Sequence, residues 1–229
     1  MKPKISVIIP AYNEEKYIER PLNSLNSQTF KDFEIIVVAD SCTDNTAEVA
    51  QNFGAKVIEV NTRDNGKNRN IGARAAKADI LLFVDADVRF SNCYHEETYK
   101  HGSNGSSTGR PLYAVDSSHL IIKHQYDPVN WFKIPVFPNT FYIKREVFEQ
   151  IGGFPEGFGN VLEDTEISEK AYKISKPKIL KSVAYNSDRR YREVGLMREL
   201  MAFVGVGFVY YILRKQLKLD IRPKWHICR

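Results

Sequence analysis

A series of short, largely apolar runs that alternate with helix-like segments is the strongest constraint on the fold. The runs cover residues 5–9, 35–38, 57–60 and 80–84. Helical patterns lie at residues 14–28, 45–52 and 70–77. Apolar strands separated by helices are typical of a parallel sheet that is covered on both faces. The sequence therefore predicts an α/β fold with a Rossmann-like, mostly parallel central sheet flanked by helices.

Length and local composition refine this expectation. The 229 residues, 43% of them hydrophobic, are enough for one sizeable packed domain. We expect that domain at residues 1–185 and a helical C-terminal extension at 186–229. Pro21 lies inside the first helical pattern and is expected to shorten or kink that helix. Residues 101–109, rich in Gly, Ser and Asn, predict a mobile loop.

Charge and cysteine content limit the classes of partner and compartment. From residue 186 to 229 there are ten Lys or Arg and four Asp or Glu, so the first 185 residues are about neutral. We therefore expect no nucleic-acid partner. Three scattered cysteines without C-x-x-C spacing argue against a zinc site and a disulfide framework. The N-terminus leads directly into a strand, so we expect no signal peptide and a cytoplasmic location.

Two carboxylates follow the apolar run at residues 80–84. Asp85 and Asp87 are costly at the edge of a buried strand unless a positive group pairs with them. A hard divalent cation with oxygen ligands is a natural partner. The alternative is a pair of solvated loop carboxylates.

Other strand ends also stop at polar residues. The first strand is followed by Pro10, Ala11, Tyr12, Asn13 and Glu14, and the second by Asp40 and the S-C-T-D-N-T segment. Ligands of open α/β sheets bind outside the carboxyl ends of the strands, so these segments should converge on one crevice. Helix N-capping is an alternative role for Asn13, Asp44 and Asn45. Asp40 comes too early to be a cap.

Together, these segments resemble the family 2 glycosyltransferases of the GT-A fold, in the nucleotide-diphospho-sugar transferase superfamily. The motifs, in order, are P-A-Y-N-E-E, D-S-x-T-D-N-T, D-N-G-K-N-R-N-I-G and D-A-D, followed by I-G-G-F-P-E and E-D-T-E. Each motif is weak alone, but the series covers about residues 5–169 in the expected order. The resemblance implies a GT-A catalytic domain that transfers a sugar from a UDP- or GDP-linked donor to a hydroxyl acceptor, either a glycan or a lipid-linked one.

The resemblance also implies roles for the residues of these motifs. Residues 10–14 would surround the base and ribose, and Asp40 would accept a hydrogen bond from the base. Asp87, with Asp85, would hold a divalent cation, Mn²⁺ or Mg²⁺, that bridges the diphosphate and acts as a Lewis acid. The remaining residues assigned to donor binding are Lys67, Arg69, Asn70, Ala86 and Glu163.

Asp164 is the candidate catalytic base for an inverting transfer. It stands near the start of a predicted helix over residues 165–173, and a helix N-terminus favours the ionised carboxylate. The alternative is an ordinary N-cap, with Glu163 and Glu166 in the first turn.

The chain departs from the family pattern in three places. Ala39 stands where an aspartate often precedes Asp40, and Cys42 lies among residues that are usually small or polar. The Q-x-x-R-W motif of processive synthases is absent, which argues against a processive enzyme. In its approximate place Arg189 and Arg190 are expected to clamp the diphosphate, since arginine is a good bidentate donor. The alternative is a solvated basic turn.

Residues 200–213 contain no charged side chain and have basic flanks. Fourteen residues are fewer than the roughly 20 that cross a bilayer as a helix. This pattern fits an interfacial helix at the inner face of the cell membrane, but favours it no more than the alternatives. A helix packed on the domain and a homodimer contact are the alternatives.

Two other functions stay open. A nucleotidyltransferase would need a Gly- and Arg-rich loop after the first strand, and residues 10–14 offer none. A non-catalytic nucleotide-sugar-binding protein would be expected to lose Asp87 or Asp164, and both are present. A purely structural interaction protein leaves the strand-end carboxylates unexplained.

Overall fold

The computed structural model describes residues 2–131, 140–157, 163–198 and 201. The strands within them are β1 (Ile5–Ala11), β2 (Phe33–Asp40), β3 (Lys56–Val60), β4 (Ile80–Val84), β5 (Arg89–Phe90), β6 (Thr108–Asp116), β7 (Thr140–Lys144) and β8 (Lys178–Ser187). The helices are α1 (Glu19–Asn26), α2 (Thr46–Asn52), α3 (Asn65–Ala75), α4 (Tyr94–Ser103), α5 (Leu120–Lys123), α6 (Asp127–Trp131), α7 (Arg145–Gln150), α8 (Glu163–Ile174) and α9 (Arg189–Val194).

All these strands join one sheet in the order β3-β2-β1-β4-β7-β6-β8-β5. Strands β1 to β4 are mutually parallel, and β6 runs parallel to β8. Strand β7 is antiparallel to both of its neighbours, β4 and β6. The mixed α/β architecture with flanking helices is therefore confirmed.

Alternate residues of the central strands pack into two different cores. Val7 and Ile9 belong to the cluster that contains Leu22 and Leu25 of α1. Ile8, between them, belongs to a second cluster with residues of β4, β7, α7 and α8. Successive side chains of a strand point to opposite faces of the sheet. The uninterrupted apolar runs thus reflect a sheet that is covered on both sides.

Two helices begin at other residues than the sequence predicts. Helix α1 begins at Glu19 rather than near residue 14, which places Pro21 in its first turn, where proline is tolerated. Helix α3 begins at Asn65 rather than at residue 70, because Asp64 caps it by accepting the Lys67 backbone N–H at 2.8 Å.

The predicted loop over residues 101–109 is shorter in the structure and covers only residues 104–107. Helix α4 continues to Ser103 and β6 starts at Thr108. Gly102 lies within α4, and a Cβ at this position would come within 2.7 Å of Ile80 Cδ1. This glycine allows close packing of the helix on the sheet, although in the sequence it resembles a loop residue.

The C-terminal part was expected to form a helical extension from residue 186, packed on the domain or on a membrane surface. Strand β8 runs through this boundary to Ser187, and α9 follows it. Within the described ranges, no helix is long and apolar enough to cross a membrane. The apolar stretch at residues 200–213 lies outside the described residues, apart from Met201.

Candidate active site

The loops after β1 and β2 are joined by hydrogen bonds. The Glu14 backbone N–H donates to Thr46 Oγ1 at 2.7 Å, and the Thr43 backbone N–H donates to Asn13 Oδ1 at 2.8 Å. Asn13 has a left-handed backbone with φ 50°, a conformation that asparagine tolerates better than most residues. Tyr12 is half-buried beside it, and Pro10 and Ala11 are buried at the end of β1. The two predicted nucleotide-binding segments therefore form a single surface.

Asp40 lies at the end of β2 and is 4% exposed. Its Oδ1 accepts from the Thr62 backbone N–H and the Ser41 hydroxyl, each at 2.9 Å. Its Oδ2 accepts from Asn68 Nδ2 at 2.8 Å and from the Thr62 hydroxyl at 3.2 Å. Burial alone would raise the pKa of Asp40, but these hydrogen bonds hold it below its usual value. Asp40 thus ties β2 to the segment after β3 and to α3.

Arg69 of α3 is 1% exposed and pairs with three carboxylates. Its Nη2 donates to Asp85 Oδ1 at 2.6 Å. Its Nη1 donates to Glu163 Oε1 at 3.0 Å and to Asp164 Oδ1 at 2.8 Å. The guanidinium carbon lies 5.1 Å from the centre of the Phe154 ring. Arg69 therefore joins the end of β4 to the start of α8.

The single positive charge of Arg69 does not balance the negative charges of Asp85, Glu163 and Asp164. Burial raises the pKa of Asp85, and the neighbouring Asp87 and Glu163 raise it further against the opposing effect of Arg69. Burial likewise raises the pKa of Asp164, and Arg69 again only partly offsets this effect. The cluster therefore carries excess negative charge, which favours the binding of a proton or a cation.

Arg189 of α9 occupies the other side of the site. Both terminal nitrogens donate to the Glu14 carboxylate, Nη2 at 2.7 Å from Oε1. Its Nε lies 3.1 Å from Asp87 Oδ2, and its guanidinium carbon lies 4.5 Å from the centre of the Tyr17 ring. Burial raises the pKa of Asp87, whereas Arg189 lowers it. Arg189 thus links the loop after β1 to the end of β4.

The G-G-F-P-E segment packs along α3. Asn70 Nδ2 donates to the Phe154 carbonyl at 3.0 Å and to Glu156 Oε1 at 2.9 Å, and the Phe154 N–H donates to Asn70 Oδ1 at 2.9 Å. A Cβ on Gly66 would lie 2.2 Å from the Pro155 carbonyl oxygen. This close contact holds Phe154 beneath the Arg69 guanidinium.

The structure brings most of the predicted site residues together. The residues joined directly by ion pairs at the carboxyl ends of the strands are Glu14, Arg69, Asp85, Asp87, Glu163, Asp164 and Arg189. Ala86 is buried between the two aspartates. Lys67 and Arg190 are exposed. Arg69 was expected to face a base or a diphosphate; here its guanidinium contacts carboxylates.

Sequence reasoning did not identify three polar residues of this site. Thr62 and Asn68 hold Asp40, and Asn65 Nδ2 donates to Glu163 Oε1 at 2.8 Å. Asn65 precedes Arg69 by four residues, so both side chains lie on one side of α3 and reach the same carboxylate. The correct start of α3 would have indicated this shared side.

Among the residues that the structure describes, no group of three or more His, Cys, Asp or Glu side chains is arranged to hold a metal ion. Asp85 and Asp87 are nonetheless close enough for the charge of Asp87 to raise the pKa of Asp85. Two carboxylates with excess negative charge suit a hard divalent cation whose other ligands come from a substrate or water.

Solved glycosyltransferase structures have the same fold. Staphylococcus aureus TarS, residues 1–349 in complex with UDP-GlcNAc, matches with a TM-score of 0.66 and 24% identity, covering 80% of this chain and 58% of that chain. The mannosyltransferase PcManGT of Pyrobaculum calidifontis, in complex with GDP-Man and Mn²⁺, matches with a TM-score of 0.65 and 19% identity, covering 97% and 66%. At these identities the likeness shows the fold, and the GT-A prediction is confirmed.

Sequence relatives are also glycosyltransferases. The poly(ribitol-phosphate) beta-N-acetylglucosaminyltransferase TarS of Staphylococcus aureus is 41% identical over 92 residues, 37% of this chain and 16% of that protein. The 4,4'-diaponeurosporenoate glycosyltransferase of Staphylococcus haemolyticus is 40% identical over 127 residues, 52% of this chain and 33% of that protein. The matched regions thus span a third or less of these relatives. The family profile described as Glycosyl transferase family 2 matches residues 6–155, more than half of the chain, and the protein belongs to this family.

Proposed function

We propose that this protein is a metal-dependent, inverting glycosyltransferase that moves a sugar from a nucleoside-diphosphate sugar to a hydroxyl acceptor. The observation that carries the proposal is the pairing of Arg69 with both Asp85 and Asp164. This pairing joins the D-A-D segment to the candidate base in one partly buried cluster. Family membership supports the reaction class.

The nucleotide of the donor would lie on the joined loops after β1 and β2. The TarS structure is a complex with UDP-GlcNAc, and the PcManGT structure is a complex with GDP-Man. Uridine and guanosine carriers are therefore both candidates for this protein. Asp40 would accept an N–H of either base. Because its oxygens already accept four hydrogen bonds, the Ser41 or Thr62 hydroxyl would have to turn away to admit the base.

Asp87 and Asp85 would hold the divalent cation together with the donor phosphates. When bound, the cation stabilises the negative charge that develops on the leaving diphosphate. The raised pKa values of both aspartates fit this role, because excess negative charge is what the cation would neutralise. Arg189, which now pairs with Asp87, would share or release this carboxylate and offer its donors to the diphosphate.

Asp164 would remove the proton from the acceptor hydroxyl as its oxygen attacks the anomeric carbon. The bond between that carbon and the diphosphate oxygen breaks on the opposite side, which inverts the configuration. A raised pKa makes a carboxylate a stronger base, and burial supplies that shift at Asp164. Arg69 fixes the carboxylate through its 2.8 Å hydrogen bond and stabilises the ionised form before the transfer.

A thermal-shift screen of UDP- and GDP-sugars, with Mn²⁺ or with EDTA, tests this function. We expect one donor class to raise the melting temperature, and to do so more strongly with Mn²⁺, because a ligand that binds the folded state stabilises it. Asp87→Ala should lose the Mn²⁺-dependent part of the shift. Asp79→Ala, which removes an exposed carboxylate paired with Lys2, is the matched control.

Product analysis completes the test. Nuclear magnetic resonance of the sugar product should show inverted anomeric configuration. If no nucleotide sugar shifts the melting temperature, or if Asp87→Ala keeps the full Mn²⁺-dependent shift, the proposed donor site is wrong. A product with retained configuration would contradict the role of Asp164.

A further inference from the structure

Helix α5 presents two large apolar side chains to solvent. Leu120 is 71% exposed and Ile121 is 58% exposed, whereas the next residue, Ile122, is 7% exposed. Ile122 alone therefore anchors this four-residue helix in the core. Leu120 and Ile121 belong to neither core cluster, and contiguous exposed apolar side chains can mark an interaction surface.

Further exposed apolar residues follow on neighbouring segments. Trp131 at the end of α6 is 82% exposed, and Met197 and Met201 after α9 are 68% and 64% exposed. We call these residues the apolar face: Leu120, Ile121, Trp131, Met197 and Met201.

The segments that carry the apolar face pack against the same core cluster. Ile122, Val129, Tyr191 and Leu196, one from each segment, join the same core cluster. The Tyr191 hydroxyl also donates to the Gln125 side chain, which ties α9 to the turn between α5 and α6. This cluster covers one face of the sheet and a second cluster covers the other, so the segments that carry the apolar face all lie on the same side of the sheet.

Basic side chains lie in the same segments as the apolar face. Lys123, Arg190 and Arg198 are exposed. Of the nearby carboxylates, Asp188 pairs with Arg192, Asp127 contacts the His124 ring, and Glu193 is exposed. The sequence from residue 202 to 229 adds six Lys or Arg and a single acidic residue. Apolar side chains with a basic rim complement an anionic lipid surface, where the apolar groups insert and the cations attract headgroups.

We propose that the apolar face docks the enzyme on an anionic bilayer, so that the acceptor hydroxyl is presented on a lipid. This inference rests on the proposed function for the acceptor class. Arg189 at the start of α9 contacts Glu14 and Asp87, and Tyr191, two residues later, packs beneath the apolar face. Docking through this face therefore brings the bilayer to the side of the site where α9 lies.

Co-sedimentation of the full chain with vesicles tests docking without nucleotide or activity. Wild-type protein should bind phosphatidylcholine vesicles that contain phosphatidylglycerol, and bind pure phosphatidylcholine much less. The double substitution Leu120→Glu with Ile121→Glu should lower the partition coefficient at least about tenfold, because two apolar side chains no longer insert. Ile174→Glu, at an exposed apolar position at the end of α8, should bind like wild type.

Several results would overturn the proposal. They are no binding of wild type to anionic vesicles, full binding by the double variant, or equal loss of binding by the Ile174 control. Conversion of a wild-type dimer to a monomer by the double variant without lipid, measured by light scattering, would assign the face to a contact between copies. Sedimentation with vesicles needs no donor. The docking proposal can therefore fail while donor binding is observed, and donor binding can fail while docking is observed.

Discussion

Arg69 Nη1 donates to Asp164 Oδ1 at 2.8 Å, which joins a fully buried cation to the candidate catalytic base. The two residues lie on different helices, α3 and α8, 95 positions apart in the chain. Burial by itself would lower the pKa of Arg69, but Asp164, Asp85 and Glu163 raise it above its usual value. Arg69 is therefore permanently charged and positions Asp164.

Asp164→Asn should separate binding from chemistry. The asparagine oxygen can still accept from Arg69, but the side chain cannot take a proton. We expect donor binding to stay close to wild type while transfer falls by roughly 10²–10⁴-fold, the usual contribution of general-base catalysis. Calorimetry with the donor and a transfer assay measure the two effects. Glu169→Gln, on the exposed side of the same helix, is the control, and near-normal transfer by Asp164→Asn would exclude this residue as the base.

Asp85→Asn should stabilise the protein without cation or donor, and more at high pH than at low pH. The pKa of Asp85 is raised in the folded protein, so its contribution to stability is complete below the ordinary value of 3.8 and is lost as the pH rises through the folded-state value. At about pH 8 the substitution should raise the unfolding free energy by on the order of 1 kcal/mol, since one pKa unit corresponds to about 1.4 kcal/mol and partial exposure reduces the effect.

Denaturant titrations in EDTA at about pH 5 and about pH 8 measure this difference. The asparagine oxygen still accepts from Arg69 Nη2, so the hydrogen bond is kept. Added Mn²⁺ should stabilise wild type more at the higher pH, because the cation competes with protons for the carboxylates. If Asp85→Asn instead lowers the unfolding free energy at about pH 8, burial and the neighbouring carboxylates do not destabilise the ionised Asp85.

Asp40→Ala should affect both stability and donor binding. The substitution leaves the Asn68 amide and the Thr62 N–H without their acceptor, which should lower the unfolding free energy by roughly 1.5–3 kcal/mol. If Asp40 also accepts from the base, UDP or GDP binding should weaken by a similar roughly 1.5–3 kcal/mol. Asp79→Ala, which removes an exposed carboxylate, should cost less than about 1 kcal/mol. Unchanged nucleotide affinity in a folded Asp40→Ala variant would remove Asp40 from the donor site.

Gly66→Ala should destabilise the protein, although replacing glycine by alanine usually stabilises a helix. In an ordinary helix interior this change stabilises by about 1 kcal/mol. Here the new Cβ would lie 2.2 Å from the Pro155 carbonyl oxygen, so the backbone must move, at a cost of roughly 1–3 kcal/mol. Thermal unfolding shows whether the variant is less or more stable than wild type. A more stable variant would contradict the close packing of the G-G-F-P-E segment on α3.

The amino-acid sequence by itself determined the alternation of strands and helices, because the periodicity of apolar side chains is a local property. It also determined which polar residues follow the strands, including Asp40, Asp85 and Asp87. The antiparallel insertion of β7 between β4 and β6 was not visible, since its run of residues resembles any other buried strand.

Only the tertiary structure decided how the charges pair. Arg69 meets Glu163 and Asp164, 94 and 95 residues further along, and Arg189 meets Glu14, 175 residues before it. Local sequence carries no information on such distant partners. The pKa of Asp85 is raised, whereas the pKa of Asp40 is lowered. The direction of each shift depends on the balance of burial, charge and hydrogen bonds that these distant segments create.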